Sequence, residues 1–194
     1  MDYSGLTEML DESNPHLGGN MKEGSPFTFA PTAWDYLIRR FALRSVMDLG
    51  SGLGYAAHYF HKQGLQVVAV DGLSSNVERA IYPTVLADLT RTAVHCRVDL
   101  VHCQEVVEHV DEKYLENVLA SLACGKLILM TAATPGQGGY HHVNEQPLQY
   151  WVDHLKRHRC EVLPEDTRRV RRFAQADGAL HLARTGLLFA NRSL

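Results

Sequence analysis

The sequence predicts one doubly wound α/β domain built on a mostly parallel, seven-stranded sheet. Three observations carry the prediction. Short apolar, β-branched runs alternate with amphipathic helical stretches, the pattern of a sheet covered on both faces. A glycine loop, Gly50-Ser51-Gly52-Leu53-Gly54, follows the first run and opens a helix. Acidic residues stand at the ends of successive runs (Asp71, Asp88, Glu105), where open α/β sheets place their ligands.

The elements follow in order. Residues 1–30 lack periodicity and carry Pro15, Gly18, Gly19, Gly24 and Pro26, so they are expected to be a loop or lid ahead of a domain spanning 31–194. Thr32 is placed to cap a helix from Ala33 to about Leu43, with Trp34, Leu37, Ile38 and Phe41 on one face. Val46–Leu49 reads as a strand, Tyr55–Lys62 as a helix and Gln66–Val70 as a buried parallel strand. A helix near Asn76–Ala80 precedes short strands at Thr84–Leu86 and Val98–Cys103. Asp111–Leu122 is a helix with Tyr114, Leu115, Val118, Leu119 and Leu122 apolar, and Lys126–Thr131 a fifth strand. A glycine-rich loop from Ala132 to about Gln146 leads to a helix at Leu148–His158. Glu161–Leu163 and Leu187–Ala190 supply the last two strands, and Thr167–Gly186 between them is ambiguous.

Composition bounds the partners. The 194 residues are enough for one domain with a core, 45% are hydrophobic and 21% charged. A net charge of -3 and an isoelectric point near 6.4 give no sign of a polyanion partner. No apolar run approaches the ~18 residues of a membrane span, and the acidic start MDYSGLTEML is no secretory signal; a cytoplasmic protein is expected. Cys96, Cys103, Cys124 and Cys160 form no CxxC pair, so they are read as reduced, mostly buried thiols, not as zinc ligands. Nothing in the sequence sets an oligomeric state.

The glycine loop carries the chemistry. Its spacing is not that of a dinucleotide fingerprint, whose third glycine would fall at Tyr55. Asp48, ahead of the loop, would repel a pyrophosphate and suits a cationic ligand. Asp71 ends the second strand 23 positions later, where a carboxylate accepts from both ribose hydroxyls. Asp88-Leu89, after the third strand, suits an adenine amino group and ring, or is a solvated loop.

Taken together, VMDLGSGLGY (46–55), VVAVDG (67–72), ADLT (87–90), VDLVHCQEVVEHV (98–110) and GKLILMT (125–131) resemble the class I methyltransferases that use S-adenosylmethionine. The resemblance covers about residues 45 to 165 and is specific to the superfamily, not to a substrate. It implies a last strand antiparallel to the rest. It also implies that Gly50, Ser51, Gly52 and Gly54 hold the methionine end of the cofactor behind Asp48, Asp71 with Gly72 the ribose, and Asp88 and Leu89 the adenine. Gln104 and Glu105 would close the site. The product would be S-adenosylhomocysteine. Many relatives have Cys where this chain has Ser51, an equally small residue.

Two loops are expected to set specificity: Glu105-Val106-Val107-Glu108-His109 and residues 134–144, which end in Tyr140, His141, His142, Val143 and Asn144. Three readings stand side by side. His109 or His142 is a general base. Or Glu105, Glu108, His109 and one of His141 and His142 hold a divalent ion such as magnesium, an arrangement that resembles the Mg-dependent methyltransferases of small-RNA 3′ ends. Or these residues are structural and alignment suffices for transfer. Arg168, Arg169, Arg171 and Arg172 are either a phosphate patch or a solvated face.

The reading that follows is a methyltransferase acting on a hydroxyl, or an amine, of a small-molecule or saccharide-like acceptor by in-line displacement, with His109, His142 and Glu105 as the catalytic candidates. A resident metal is not expected, nor is a nucleic-acid or membrane partner. The alternatives are a metal-assisted RNA 2′-O-methyltransferase and a non-catalytic cofactor-binding subunit.

Overall fold

The computed structural model describes residues 2–8 and 14–194. Seven strands form one sheet: β1 (Ser45–Leu49), β2 (Gln66–Asp71), β3 (Thr84–Leu86), β4 (Val98–Cys103), β5 (Gly125–Met130), β6 (Cys160–Val162) and β7 (Leu187–Asn191). Their order across the sheet is β3-β2-β1-β4-β5-β7-β6. The first five run parallel, and β7 is antiparallel to both of its neighbours, so the expected antiparallel last strand is present. The chain order reverses between β1 and β4, which opens a crevice at their carboxyl ends.

Helices cover both faces. Successive side chains of a strand point to opposite sides, and the strands alternate accordingly. Met47, Val101, Ile128 and Phe189 pack with helices α4 (Leu115–Leu122) and α5 (Leu148–Arg157). Val46, Leu100, Leu129 and Leu188 pack with α1 (Pro31–Phe41), α2 (Tyr55–Lys62), α6 (Pro164–Asp177) and α7 (Leu180–Thr185). Helix α3 (Ser74–Arg79) lies between β2 and β3. Two-sided burial is why β1, β4 and β5 read as near-continuous apolar runs.

Two local expectations are corrected, and one open stretch is resolved. Thr32 does not cap α1: Pro31 opens the helix after Ala30, and the Thr32 N–H and hydroxyl bond to the Asp177 carboxylate at 2.9 and 2.6 Å. The 111–122 stretch begins as a 3₁₀ turn, Glu112–Tyr114, capped by the Asp111 side chain on the Lys113 N–H, and becomes α-helical only at Leu115. The ambiguous 167–186 stretch is two helices. Pro164 at the first turn and Gly178 in the left-handed conformation delimit α6, as such residues commonly do. Its arginines are engaged: Arg168 with Glu165, Arg169 with the Tyr36 hydroxyl, Arg171 with the Gly186 carbonyl, and Arg172 over the Phe173 ring.

No helix among the described residues is long and apolar enough to cross a membrane.

Candidate active site

The glycine loop is built by backbone bonds before any ligand is considered. The N–H groups of Gly50 and Ser51 both donate to the Val70 carbonyl, at 2.8 and 2.9 Å, and tie the turn after β1 to β2. Gly50 has φ +75°, and a Cβ there would stand 2.2 Å from a Val106 methyl, so loop and β4 turn meet only through a glycine. The Gly52 N–H donates to Asp71 at 2.7 Å. Gly54 caps α2 and, unlike Gly50, Ser51 and Gly52, does not line the cavity described below.

Asp71 is buried, and its other oxygen accepts from the Leu73 N–H and the Asn76 amide. Burial raises its pKa, against the pull of those bonds. Gly72 lies beneath the Leu17 side chain. Asp88 accepts from the Thr90 N–H and hydroxyl on one oxygen and faces His16 Nε2 at 3.2 Å on the other. Burial raises this group, but the Thr90 bonds and His16 outweigh it and leave its pKa below the ordinary carboxylate range. Leu89 is buried beside it.

Asp48 and His102 form a buried pair that the motif reading missed. Asp48 accepts from His102 Nδ1 at 2.7 Å and from the Ala57 N–H at 3.1 Å. The two residues are register partners on β1 and β4, a juxtaposition visible only once strand order is known. The Gln104 amide donates to His102 Nε2 and to the Thr28 carbonyl, at 2.7 and 3.1 Å. Gln104 Oε1 and Ser51 Oγ are buried without a partner. Two orphaned polar atoms on the wall of one cavity are what a polar ligand would satisfy.

After β4, Glu105 adopts φ +54°, uncommon for a residue with a side chain. Its carboxylate is held from two sides: Thr131 Oγ1 donates to Oε1 at 2.9 Å, and His181 Nδ1 lies 2.7 Å from Oε2. Tyr3 Oη lies 2.6 Å from His181 Nε2. In the sequence Tyr3 reads only as an aromatic that lines a pocket or fills the core, and His181 lies in the ambiguous 167–186 stretch and carries no signal.

The two specificity loops meet as expected. The Glu108 carbonyl accepts from the N–H groups of Val143 and Asn144, both at 3.0 Å. Ligand atoms of Glu108, His109 and His142 all lie within 4.8 Å of one another. Glu108 is fully buried, and neither carboxylate oxygen has a hydrogen-bond partner. Burial first, and the Glu105 charge second, push its pKa well above the ordinary range. Burial and the neighbouring His142 lower His109 to about 4. Glu145 orients His142, accepting at 3.1 Å opposite its Nδ1 while also accepting from the Gly136 and Gly138 N–H groups. His141 and Glu105 stand outside this three-residue cluster.

A single cavity of about 1120 Å³ takes in both halves. Gly52, Asp71 and Asp88 lie along it, as do Glu105, His109 and His142; Tyr3, His16 and Leu17 add a wall from the N-terminal segment.

A methyltransferase-domain family model matches residues 27–172. The chain belongs to this methyltransferase family. Its sheet is the Rossmann-like one of the S-adenosylmethionine-dependent class. The ubiquinone biosynthesis O-methyltransferase of Rickettsia typhi is 30% identical over 93 residues, 40% of this chain and 38% of that protein; the chain thus spans well under half the length of that relative. The plantazolicin methyltransferase BpumL, solved with S-adenosylhomocysteine, superposes with a TM-score of 0.63 at 14% identity over 94% of this chain and 91% of that one. The magnesium protoporphyrin IX methyltransferase of Synechocystis PCC 6803, solved with S-adenosylmethionine, gives 0.54 at 17% identity over 66% and 65%. At these identities the structural matches speak for the fold.

Proposed function

We propose that this methyltransferase moves a methyl group from S-adenosylmethionine to a hydroxyl, or an amine, of a small-molecule or saccharide-like acceptor. The single observation behind this reading is the continuous cavity, which joins the glycine loop, Asp71 and Asp88 to Glu105, His109 and His142. The donor set fits the cofactor. Gly50, Ser51 and Gly52 would hold its methionine end, with Ser51 Oγ and Gln104 Oε1 finding their missing partners there. Asp48 would supply negative charge beneath its cationic groups, Asp71 and Gly72 would hold the ribose, and Asp88 and Leu89 the adenine. When bound, the cofactor supplies an activated methyl group open to in-line attack. The protein's part is to hold the acceptor at attack distance and take up its proton. His109 is a neutral imidazole at physiological pH, and His142 is oriented by Glu145.

Calorimetric titration with S-adenosylhomocysteine, with NAD as control, tests the cofactor. Micromolar binding of the first and none of the second is expected; binding of neither removes the reading.

One observation favours a second reading, in which a divalent cation assists the transfer. A buried carboxylate without a donor needs a proton or a cation, and Glu108 faces two imidazoles. Two histidines and one carboxylate are a known donor set for transition ions. The carboxylate–histidine contact of Glu145 with His142 is the outer-shell arrangement such sites use. Manganese should then raise the melting temperature of the wild type and not of Glu108→Gln. No rise in the wild type rejects the metal.

A further inference from the structure

We propose that His181, oriented by Glu105, is the base that takes the acceptor's proton, and that the Tyr3 phenol occupies the acceptor's seat in the structure. The inference rests on the methyl-transfer reading above and names the residue that would complete it.

A carboxylate stands beside the imidazole. Glu105 Oε2 and His181 Nδ1 are 2.7 Å apart, with side-chain exposures of 17% and 7%. The contact is one of distance, outside hydrogen-bond geometry; in the tautomer that carries its hydrogen on Nδ1, beside the carboxylate, Nε2 keeps a lone pair. In that tautomer the lone pair faces a hydroxyl, Tyr3 Oη at 2.6 Å, inside the range a general base needs to its substrate proton. Thr131 at the end of β5 fixes the second oxygen of Glu105. His181 is itself anchored by its N–H on the Phe27 carbonyl and its carbonyl on the Thr185 hydroxyl.

Acid and base stand on the scaffold, Glu105 directly after β4 and His181 in the first turn of α7. The phenol stands on an N-terminal segment tied in by turns, the Thr7–Met21 bridge and the Glu8–Arg79 ion pair at 3.3 Å. Its ring packs edge-on to Phe27 at 5.4 Å and stacks on His181 at 6.5 Å. A hydroxyl on the N-terminal segment, hydrogen-bonded to an imidazole within the acceptor half of the cavity, mimics an acceptor hydroxyl.

The step balances without a further reagent. The acceptor heteroatom forms a bond to the methyl carbon as that carbon's bond to sulfur breaks, with the electron pair remaining on sulfur. The acceptor's proton passes to His181 Nε2, and the resulting imidazolium is paired with the Glu105 carboxylate.

The test uses the deleted side chain as substrate. Tyr3→Ala is supplied with S-adenosylmethionine and 4-methylphenol, the tyrosine side chain as a free molecule. Formation of 4-methylanisole is expected, and adding His181→Gln should lower its kcat by about 100-fold or more. Glu105→Gln on the same background should lower kcat with KM for 4-methylphenol unchanged. Nitrogen-15 NMR should find His181 protonated on Nδ1, a state that Glu105→Gln disturbs and a packing role would not require. Turnover that survives His181→Gln, or no methylation of 4-methylphenol by Tyr3→Ala, overturns the proposal. S-adenosylhomocysteine affinity is measured for every variant. If even the wild type fails to bind it, the methyl-transfer reading has failed, whereas intact binding with a negative 4-methylphenol result condemns the base and seat alone.

Discussion

Alanine at Gly50 and alanine at Gly52 should fail in different ways, and the difference tests whether the glycine loop is a cofactor cradle. At Gly50 the backbone has φ +75°, and the new Cβ would meet Val106 Cγ2 at 2.2 Å, with Val106 Cβ and Cγ1 at 3.3 Å. Rotating the valine brings one methyl up as another leaves, so the β4 turn has to move. The left-handed backbone costs about 1 kcal/mol and overpacking about 1–3 kcal/mol, some 3 kcal/mol together. For a chain of this length that lowers Tm by roughly 6–12 °C. At Gly52 (φ +55°) a Cβ meets nothing within 4 Å. Only the backbone term of about 1 kcal/mol applies, and Tm should fall by roughly 2–4 °C. That Cβ, however, would stand in the cavity where a ligand must approach the loop's N–H groups. Gly52→Ala should therefore weaken S-adenosylhomocysteine at least about 10-fold, a loss of ~1.4 kcal/mol. Differential scanning calorimetry and isothermal titration read the two quantities separately. Undiminished affinity in Gly52→Ala would refute the cradle, and a Gly50→Ala variant as stable as wild type would refute the packing against Val106.

Two further outcomes are expected. Asp48→Asn turns an amide NH₂ toward the His102 Nδ1–H or the Ala57 N–H, leaving a buried donor unsatisfied at about 1–3 kcal/mol; urea denaturation should show the loss, and an unchanged midpoint would mean that the buried pair contributes nothing. Burial pushes the Cys103 thiol well above its ordinary value and Cys160 up to about 11, so iodoacetamide at pH 8 should spare both in the folded protein. Alkylation is confined to the half-buried Cys96 and Cys124, and peptide mapping that finds native Cys160 modified contradicts this.

The sequence made the sheet legible because burial on both faces writes itself as uninterrupted apolar strands, and the turn after β1 legible because Gly50, Gly52 and Gly54 all take positive φ there, which favours glycine. Helices α6 and α7 were not legible for the opposite reason. The buried face of α6 is Asp166, Thr167, Val170 and Ala174, with one large aliphatic side chain among four arginines, so no apolar stripe announces it. Thr32 failed as a cap because Asp177, 145 residues away, claims its N–H and hydroxyl. In the site, residues belonging to motifs were found and their partners were not. Asp48 stands out without His102, and Glu105 without His181, since each partner is supplied by strand order or by a chain segment with no local signature.

The N-terminal segment connects the two ends of the cavity, and this makes a prediction about the cofactor. His16 lies on Asp88, Leu17 covers Gly72, and Thr28 bonds to Gln104, while Tyr3 reaches His181. One Asp88 oxygen is committed to Thr90, so an adenine amino group would have to use the other, which His16 and Arg91 now share at 3.2 and 3.4 Å. His16 then competes with the cofactor for its own acceptor. His16→Ala should bind S-adenosylhomocysteine as tightly as wild type or tighter, whereas Asp88→Ala, which removes a charged acceptor worth about 1.5–3 kcal/mol, should bind it at least about 10-fold more weakly. Weaker binding by His16→Ala would instead make the histidine part of the cofactor's wall. Unchanged binding by Asp88→Ala would take adenine away from this carboxylate. If His16 does compete, cofactor binding loosens the same segment that holds Tyr3 on His181, so occupancy of one end of the cavity favours clearance of the seat at the other. Trypsin cleavage after Lys22 should then accelerate when S-adenosylhomocysteine is added, and slower cleavage would show that the cofactor clamps the segment down.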